Sequence, residues 1–234
     1  VEEGPVLPVT SIEWRLEPGR HPLETQASQA IDEGWRRRIL HRPRLHDGEV
    51  VLGTRLALAD GWLSGTCRMI RYAGLLHFLD LPDQGAPSTP HRHLFAWPAL
   101  VSADGRAVMG RMSAHTANAG RIYFPAGSLE TMDFVGGLAD IDGNMAREVR
   151  EETGLDLGAA RPEPGYLLLP TGRLALVIRI FRFEQSAAEL AGAARAFLAA
   201  RRDDELDAII DFAPGETDPA MTPLARRFMR WFSG

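Results

Sequence analysis

The chain has 234 residues, with 26 Lys and Arg against 31 Asp and Glu, for a formal net charge of −5. That length can bury a sizeable core as one large domain or as a domain with an appendage, and the mild negative charge excludes the basic stripe of a general nucleic-acid binder. No stretch is long and apolar enough to cross a membrane as a helix.

The opening residues Val1-Glu2-Glu3-Gly4-Pro5 lack the basic and apolar blocks of a secretory leader. The single cysteine, Cys67, rules out a disulfide within the chain and fits a reducing cytoplasm. In Gly65-Thr66-Cys67-Arg68-Met69-Ile70 it reads as a buried strand residue rather than a reactive thiol.

Residues 1–27, rich in Pro, Glu and Gly, read as an extended arm. Residues 28–41 place Ile31, Trp35 and Ile39 four apart, on one face of a helix. Residues 49–59 and 62–72 read as two strands joined by a tight Asp60-Gly61 turn. Residues 73–80 fit a helix or a strand equally well. Segment 82–90 holds three prolines, breaks regular structure and marks the expected boundary between an N-terminal extension (28–89) and a catalytic domain (90–234).

Beyond it, strands are expected at 93–102 and 106–113 around the Ala103-Asp104-Gly105 turn, then at 121–124, 165–170, 173–184 and 207–212. Helices are expected at 142–153, over the alanine-rich 187–201, and at 222–233, where Leu224, Phe228 and Phe232 share a face. Strands interspersed with several packing helices give an α/β sandwich.

The densest chemistry lies in Arg147-Glu148-Val149-Arg150-Glu151-Glu152-Thr153-Gly154-Leu155. On a helix, residues three and four apart share a face, so Glu148 sits one turn from both Glu151 and Glu152 and the three point the same way. A helix gains nothing from three like charges there unless a hard divalent cation takes their oxygens. Gly154 tolerates the left-handed conformation found just past a helix end. An acidic helix is often only a solvated face. Here the Arg147-Glu148 start, the Thr153-Gly154-Leu155 end and the upstream Phe124-Pro125-Ala126-Gly127 weigh against that reading through their resemblance to a known loop and helix.

This run resembles the second half of the Nudix box, and it matches at every specified position. The first half departs from the pattern. Tyr123-Phe124-Pro125-Ala126-Gly127 is similar to the usual lead-in, which makes Gly127 the first glycine. Asp133 stands where the family has Glu, and the thirteen residues between Asp133 and Arg147 are six more than the pattern has. An insertion around 134–141 accounts for them. It leaves open whether Asp133, Asp140 or Asp142 supports the loop and holds Arg147.

The resemblance covers 90–234 and implies a Nudix-type α/β/α sandwich with a mixed sheet. The N-terminal helix and hairpin faintly resemble the extension of UDP-sugar-hydrolysing members. The implied activity is metal-dependent hydrolysis of a diphosphate bond in a nucleoside diphosphate linked to another group, such as a nucleotide sugar. Glu148, Glu151 and Glu152 are then the ligands of Mg²⁺ or Mn²⁺, and Glu151 and Glu152 carry catalysis. Arg147 and Gly154 support the helix. The partner is a small nucleotide rather than nucleic acid or membrane, and the resemblance allows a homodimer.

The resemblance implies a further acid after the last long strand, with Glu205 the first candidate base and Glu184 the second, since a base must lie within hydrogen-bond reach. Arg111, His115, Asn118, Arg121 and Tyr123 are candidate substrate contacts, since arginine grips phosphate through two donors. His91 and His93 alternate on a strand without a cysteine partner and read as a polar strand end. The rival reading is a Nudix-like nucleotide sensor without turnover. An isomerase of this fold would need a specific Cys and Glu pair, and Cys67 lies far upstream of it.

Overall fold

The computed structural model describes residues 5–81, 91–201 and 205–234. The expected boundary at 82–90 lies outside the described residues. In chain order the elements are β1 (Leu7–Val9), β2 (Ser11–Arg20), α1 (Pro22–Gln26), α2 (Ser28–His41), β3 (Glu49–Ala59), β4 (Trp62–Arg71) and α3 (Tyr72–Asp80). There follow β5 (His93–Val101), β6 (Ala107–Met112), β7 (Ile122–Tyr123), β8 (Phe134–Val135), β9 (Leu138–Ala139), α4 (Ile141–Thr153), β10 (Arg161–Pro162) and β11 (Tyr166–Thr171). The chain closes with β12 (Leu174–Arg182), α5 (Ala187–Ala199), β13 (Leu206–Phe212) and α6 (Pro223–Phe232).

The fold is mixed α/β, as expected, with two mixed sheets. The larger runs β1-β11-β12-β5-β6-β13, with β10 against β12 and β7 against β6. Its centre is the parallel pair β12–β5, registered from Leu174↔His93 to Arg182↔Val101. Both strands are buried along most of their length, as a pair covered on both faces must be. Helix α4 sends Ile141, Met145 and Val149 into the main core, and α5 adds Leu190, Ala191 and Ala194. Helix α6 adds Leu224, Phe228 and Met229, while its Phe232 is only partly buried against that core.

The smaller sheet runs β3-β4-β2-β9-β8. The expected hairpin β3–β4 turns at Asp60 (φ 50°) and Gly61 (φ 78°), both left-handed, as a two-residue turn requires. Residues 7–20, read from sequence as an extended arm, are extended but sheeted: β1 pairs antiparallel with β11 and β2 lies parallel to β4. The composition that suggested an arm hides Trp14, which is 1% exposed and fills the space left by Gly53 and Gly65.

The ambiguous stretch 73–80 is helical. Leu75 and Phe78 of α3 bury against Val50, Leu52 and Ile70, forming a second small core. Tertiary burial decides what the sequence pattern of a short apolar run cannot.

Candidate active site

Helix α4 is capped at both ends by local chemistry. The Asp140 carboxylate accepts from Gly143 N at 2.9 Å, and Gly154 takes φ 71° beyond the last turn. The six extra residues are not a slack loop. They fold as the hairpin β8–β9 around Gly136 and Gly137 (φ 59° and 81°). Leu138 of β9 then pairs with Arg15 of β2. The insertion thus adds two strands to the smaller sheet without disturbing the helix behind it.

Of the three acids left open for Arg147, the geometry selects Asp133. The Arg147 guanidinium donates to both Asp133 carboxylate oxygens, with Nη2 at 3.2 and 3.1 Å. Asp133 is buried, and it also accepts from Glu130 N at 2.8 Å and from Asn144 Nδ2 at 3.0 Å. Asp140 is spent on the cap. Asp142 instead accepts from Tyr166 Oη at 3.1 Å and pairs with Arg179 of β12, so it anchors α4 to the larger sheet. Arg147 Nη1 further meets Glu148 at 2.8 Å and Glu151 at 3.3 Å.

The three glutamates do not share one environment. Glu148 and Glu152 are buried, whereas Glu151 is exposed. With about 100° of rotation per residue, the i,i+4 pair faces inward and Glu151 falls on the flank, toward Arg147. The expectation that all three point the same way is corrected to two inward and one lateral.

Gly127 lies against the Glu148 carboxylate: a Cβ there would stand 2.2 Å from Glu148 Oε1. The next amide back, Ala126 N, donates to Glu152 Oε1 at 3.1 Å. The other oxygen, Glu152 Oε2, is buried with no hydrogen-bond partner.

Burial pushes the Glu148 carboxyl up to about 7, against the pull of Arg147 and with the push of Glu151 and Glu205. Burial raises Glu152 well above the carboxylate range, helped by Glu205 and then Glu148. Glu205 is raised by desolvation, lowered by His115 and raised by Glu151. Glu205, from the residue before β13, therefore belongs to the same electrostatic cluster as the α4 acids. Glu184 lines a separate cleft with Ser102, Ala159 and Arg182.

As the side chains stand, no three acid, His or Cys groups among the described residues close into a coordination shell. The donors nevertheless suit a hard cation. Two buried carboxylates repel each other, and one presents an unpartnered oxygen, which is costly in a protein interior unless something satisfies it.

The candidate substrate contacts separate. His115 is half-buried beside Glu205 and lines a cleft of about 750 Å³ that also includes Ser113, Arg195, Leu206 and Asp207. Arg111 is engaged on the rim by Asp207 at 2.6 Å. Arg121 is exposed ahead of β7. Tyr123 is core: it stacks on Trp97 with centroids 5.7 Å apart, and its hydroxyl accepts from Asn118 Nδ2 at 3.1 Å. Burial raises its phenol against the pull of the Asn118 hydrogen bond, and the charges of Glu152 and Glu205 add to the rise.

His93 is buried, stacked on Phe95 and 3.4 Å from Ser128 Oγ, rather than a polar strand end. His91 turns instead to His21, ring centroids 4.6 Å apart. Cys67 is buried, and its thiol is pushed up to about 12, which leaves it inert.

Sequence reasoning missed Arg42, whose guanidinium reaches the 113–118 turn, and Tyr72, whose phenol is raised by burial and by Glu205. Neither lies in any motif, and nothing in the local sequence ties residue 42 or 72 to residue 205.

No protein-family model matches the chain, and no curated protein matches it in sequence. Among solved structures it is similar to the Deinococcus radiodurans protein DR0079, at 12% identity and TM-score 0.45 over 79% of this chain and 98% of that one. It is also similar to a MutT protein from Methanosarcina mazei Go1, at 16% identity and TM-score 0.39 over 63% of this chain and 94% of that one. A third is a bifunctional NMN adenylyltransferase/ADP ribose pyrophosphatase from Francisella tularensis, complexed with AMP and a manganese ion. It shares 17% identity at TM-score 0.40, over 62% of this chain and 41% of that one.

Proposed function

We propose that this chain is a Nudix-type hydrolase that cleaves a diphosphate bond in a nucleoside diphosphate linked to another group, such as a nucleotide sugar, with Mg²⁺ or Mn²⁺ as cofactor. The observation that carries the reading is the pair of buried carboxylates, Glu148 and Glu152, set behind Gly127 with one oxygen unsatisfied. A fold has no structural use for such a pair, because each buried charge costs stability unless it is compensated.

Glu148 and Glu152 would hold the ion, with the exposed Glu151 as third donor. When bound, such an ion neutralises diphosphate oxygens and lowers the pKa of water. The chain's own groups do the rest. Arg147, fixed by Asp133, keeps α4 in register beneath the lead-in loop. Glu205, whose carboxyl is raised by burial against the pull of His115 and with the push of Glu151, would accept the proton of the attacking water. His115, whose charge acts on Glu205, lines the cleft where the group beyond the diphosphate would lie.

The test is a panel of nucleoside diphosphate derivatives incubated with Mg²⁺ or Mn²⁺, products resolved by chromatography, and Glu152→Gln as control. Metal-dependent cleavage of one compound, lost in the control, is the expected outcome. Ligand binding without any product would instead make the chain a nucleotide sensor.

A further inference from the structure

The α4 acids are positioned by their sequence neighbours, but Glu205 is not. Its carbonyl accepts from Ser113 N at 2.7 Å, which fixes the start of β13 to the end of β6. Ser113 opens a turn closed by Thr116, whose amide and hydroxyl both donate to Ser113 O, at 3.1 and 2.9 Å. The same turn carries His115, whose charge acts on Glu205, and Asn118, which holds the Tyr123 hydroxyl. It belongs to neither helix nor strand.

The far side of this turn is gripped from the N-terminal third of the chain. Arg42, the C-cap residue of α2, sends Nη1 to Thr116 O at 2.7 Å and to Ala117 O. Two carbonyls on one guanidinium nitrogen make a charge-assisted clamp across 74 residues of sequence. Tyr72, at the head of α3, lies on the same side and feels the charges of Glu205, Arg38 and Arg42.

We infer that Arg42 is a positioning residue of the acid site: through it, α2 holds the turn that sets His115 and Glu205 against Glu148 and Glu152. The consequence for turnover rests on the hydrolase reading, but the clamp itself does not. The N-terminal helix is thereby part of the working site rather than an appendage. Loosening a positioned group by about 1 Å can cost on the order of 10²-fold in rate.

The test compares Arg42→Ala and Arg42→Lys with Arg36→Ala, a change on the exposed side of the same helix. Amide hydrogen exchange is read by mass spectrometry. In Arg42→Ala, exchange over 113–120 and at 205–206 should quicken at least tenfold while α4 stays protected. On the compound the wild type cleaves, kcat should fall on the order of 10- to 100-fold with KM within about threefold. Arg42→Lys should recover part of the loss, since a cation on a flexible stem reaches one carbonyl well, and Arg36→Ala should match the wild type.

Unchanged exchange over 113–120 in Arg42→Ala would overturn the inference. So would exchange that quickens across α4 as well, or a kcat unaltered on a cleaved substrate. If the wild type cleaves nothing in the panel, the hydrolase reading fails, and the exchange comparison alone then decides whether the clamp exists.

Discussion

The two halves of the acid cluster are held in place by different means. On α4, Glu148 and Glu152 are aimed by helix geometry, by the Asp140 and Gly154 caps and by the Arg147–Asp133 pair, all within 22 residues of one another. Glu205 is held by Ser113, Thr116 and Arg42, drawn from a turn after β6 and from the end of a helix far upstream in the chain. A local device survives as a readable pattern because its residues must keep their spacing. A device built by tertiary contact keeps only its positions in space.

The largest expected effect tests the local half. Glu152→Gln keeps the Ala126 N contact and removes the charge. Activity should fall on the order of 10³-fold, the scale of a lost metal ligand. The melting temperature should rise, because a desolvated, repelled carboxylate becomes neutral. Calorimetry beside a rate assay reads both. A melting temperature that falls together with activity would mean that Glu152 serves the fold.

Next in size is Asp133→Ala. It leaves Arg147 half-buried without its main partner, and breaking such a pair costs about 3–5 kcal/mol. Urea titration should show the loss. Asp142→Ala should cost less, because Tyr166 and Arg179 keep other contacts: Arg179 lies over the rings of Tyr166 and Phe181.

These two variants mark what was legible in the sequence. The helix and its cap at Gly154 were readable from residue type and spacing, whereas Gly127 as the lead-in glycine and Glu205 as a candidate acid came from the resemblance to the Nudix box. The choice of Asp133 over Asp140 and Asp142 was not. All three are aspartates at plausible distance along the chain, and only their contacts in the fold separate them: Asp133 takes Arg147 and Asn144, Asp140 caps the helix and Asp142 meets Tyr166 and Arg179. The splay of Glu151 was not legible either: the spacing set all three glutamates on one face, and burial of Glu148 and Glu152 alone separates Glu151 from them. Residues 7–20 were harder still. Their Pro, Glu and Gly suggest an arm, yet β2 finds a partner 51 residues away at Trp62, and local composition carries no trace of that pairing.

Titration offers a third effect, of intermediate size. Glu148 has a folded pKa of about 7 against an ordinary 4.5. The native state therefore binds more protons than the unfolded chain between those values, so stability should fall as pH rises from 4.5 to 7. The full cost of roughly 3 kcal/mol is reached above pH 7. Glu148→Gln should flatten that slope. Mn²⁺ should raise the melting temperature, and by more at pH 8 than at pH 6, because it binds the ionised carboxylates. A slope that Glu148→Gln leaves intact would place the titrating group elsewhere in the cluster.

The smallest effect separates the site from its rim. Arg111 reads in sequence as a phosphate arm, yet its Nε is engaged by Asp207 in a pair about half exposed on both sides. Such pairs contribute about 0–1 kcal/mol, so Arg111→Ala should barely move the melting temperature. With its Nε held by Asp207, it should shift KM by less than about threefold, the scale of a rim charge rather than of a bidentate grip. His115, one turn further along the chain and facing Glu205, makes the contrast. His115→Ala should lower kcat while Arg111→Ala leaves it alone. If Arg111→Ala instead raises KM tenfold with kcat unchanged, the Asp207 pair opens when substrate arrives, and the cleft beside Glu205 extends to the edge of β6.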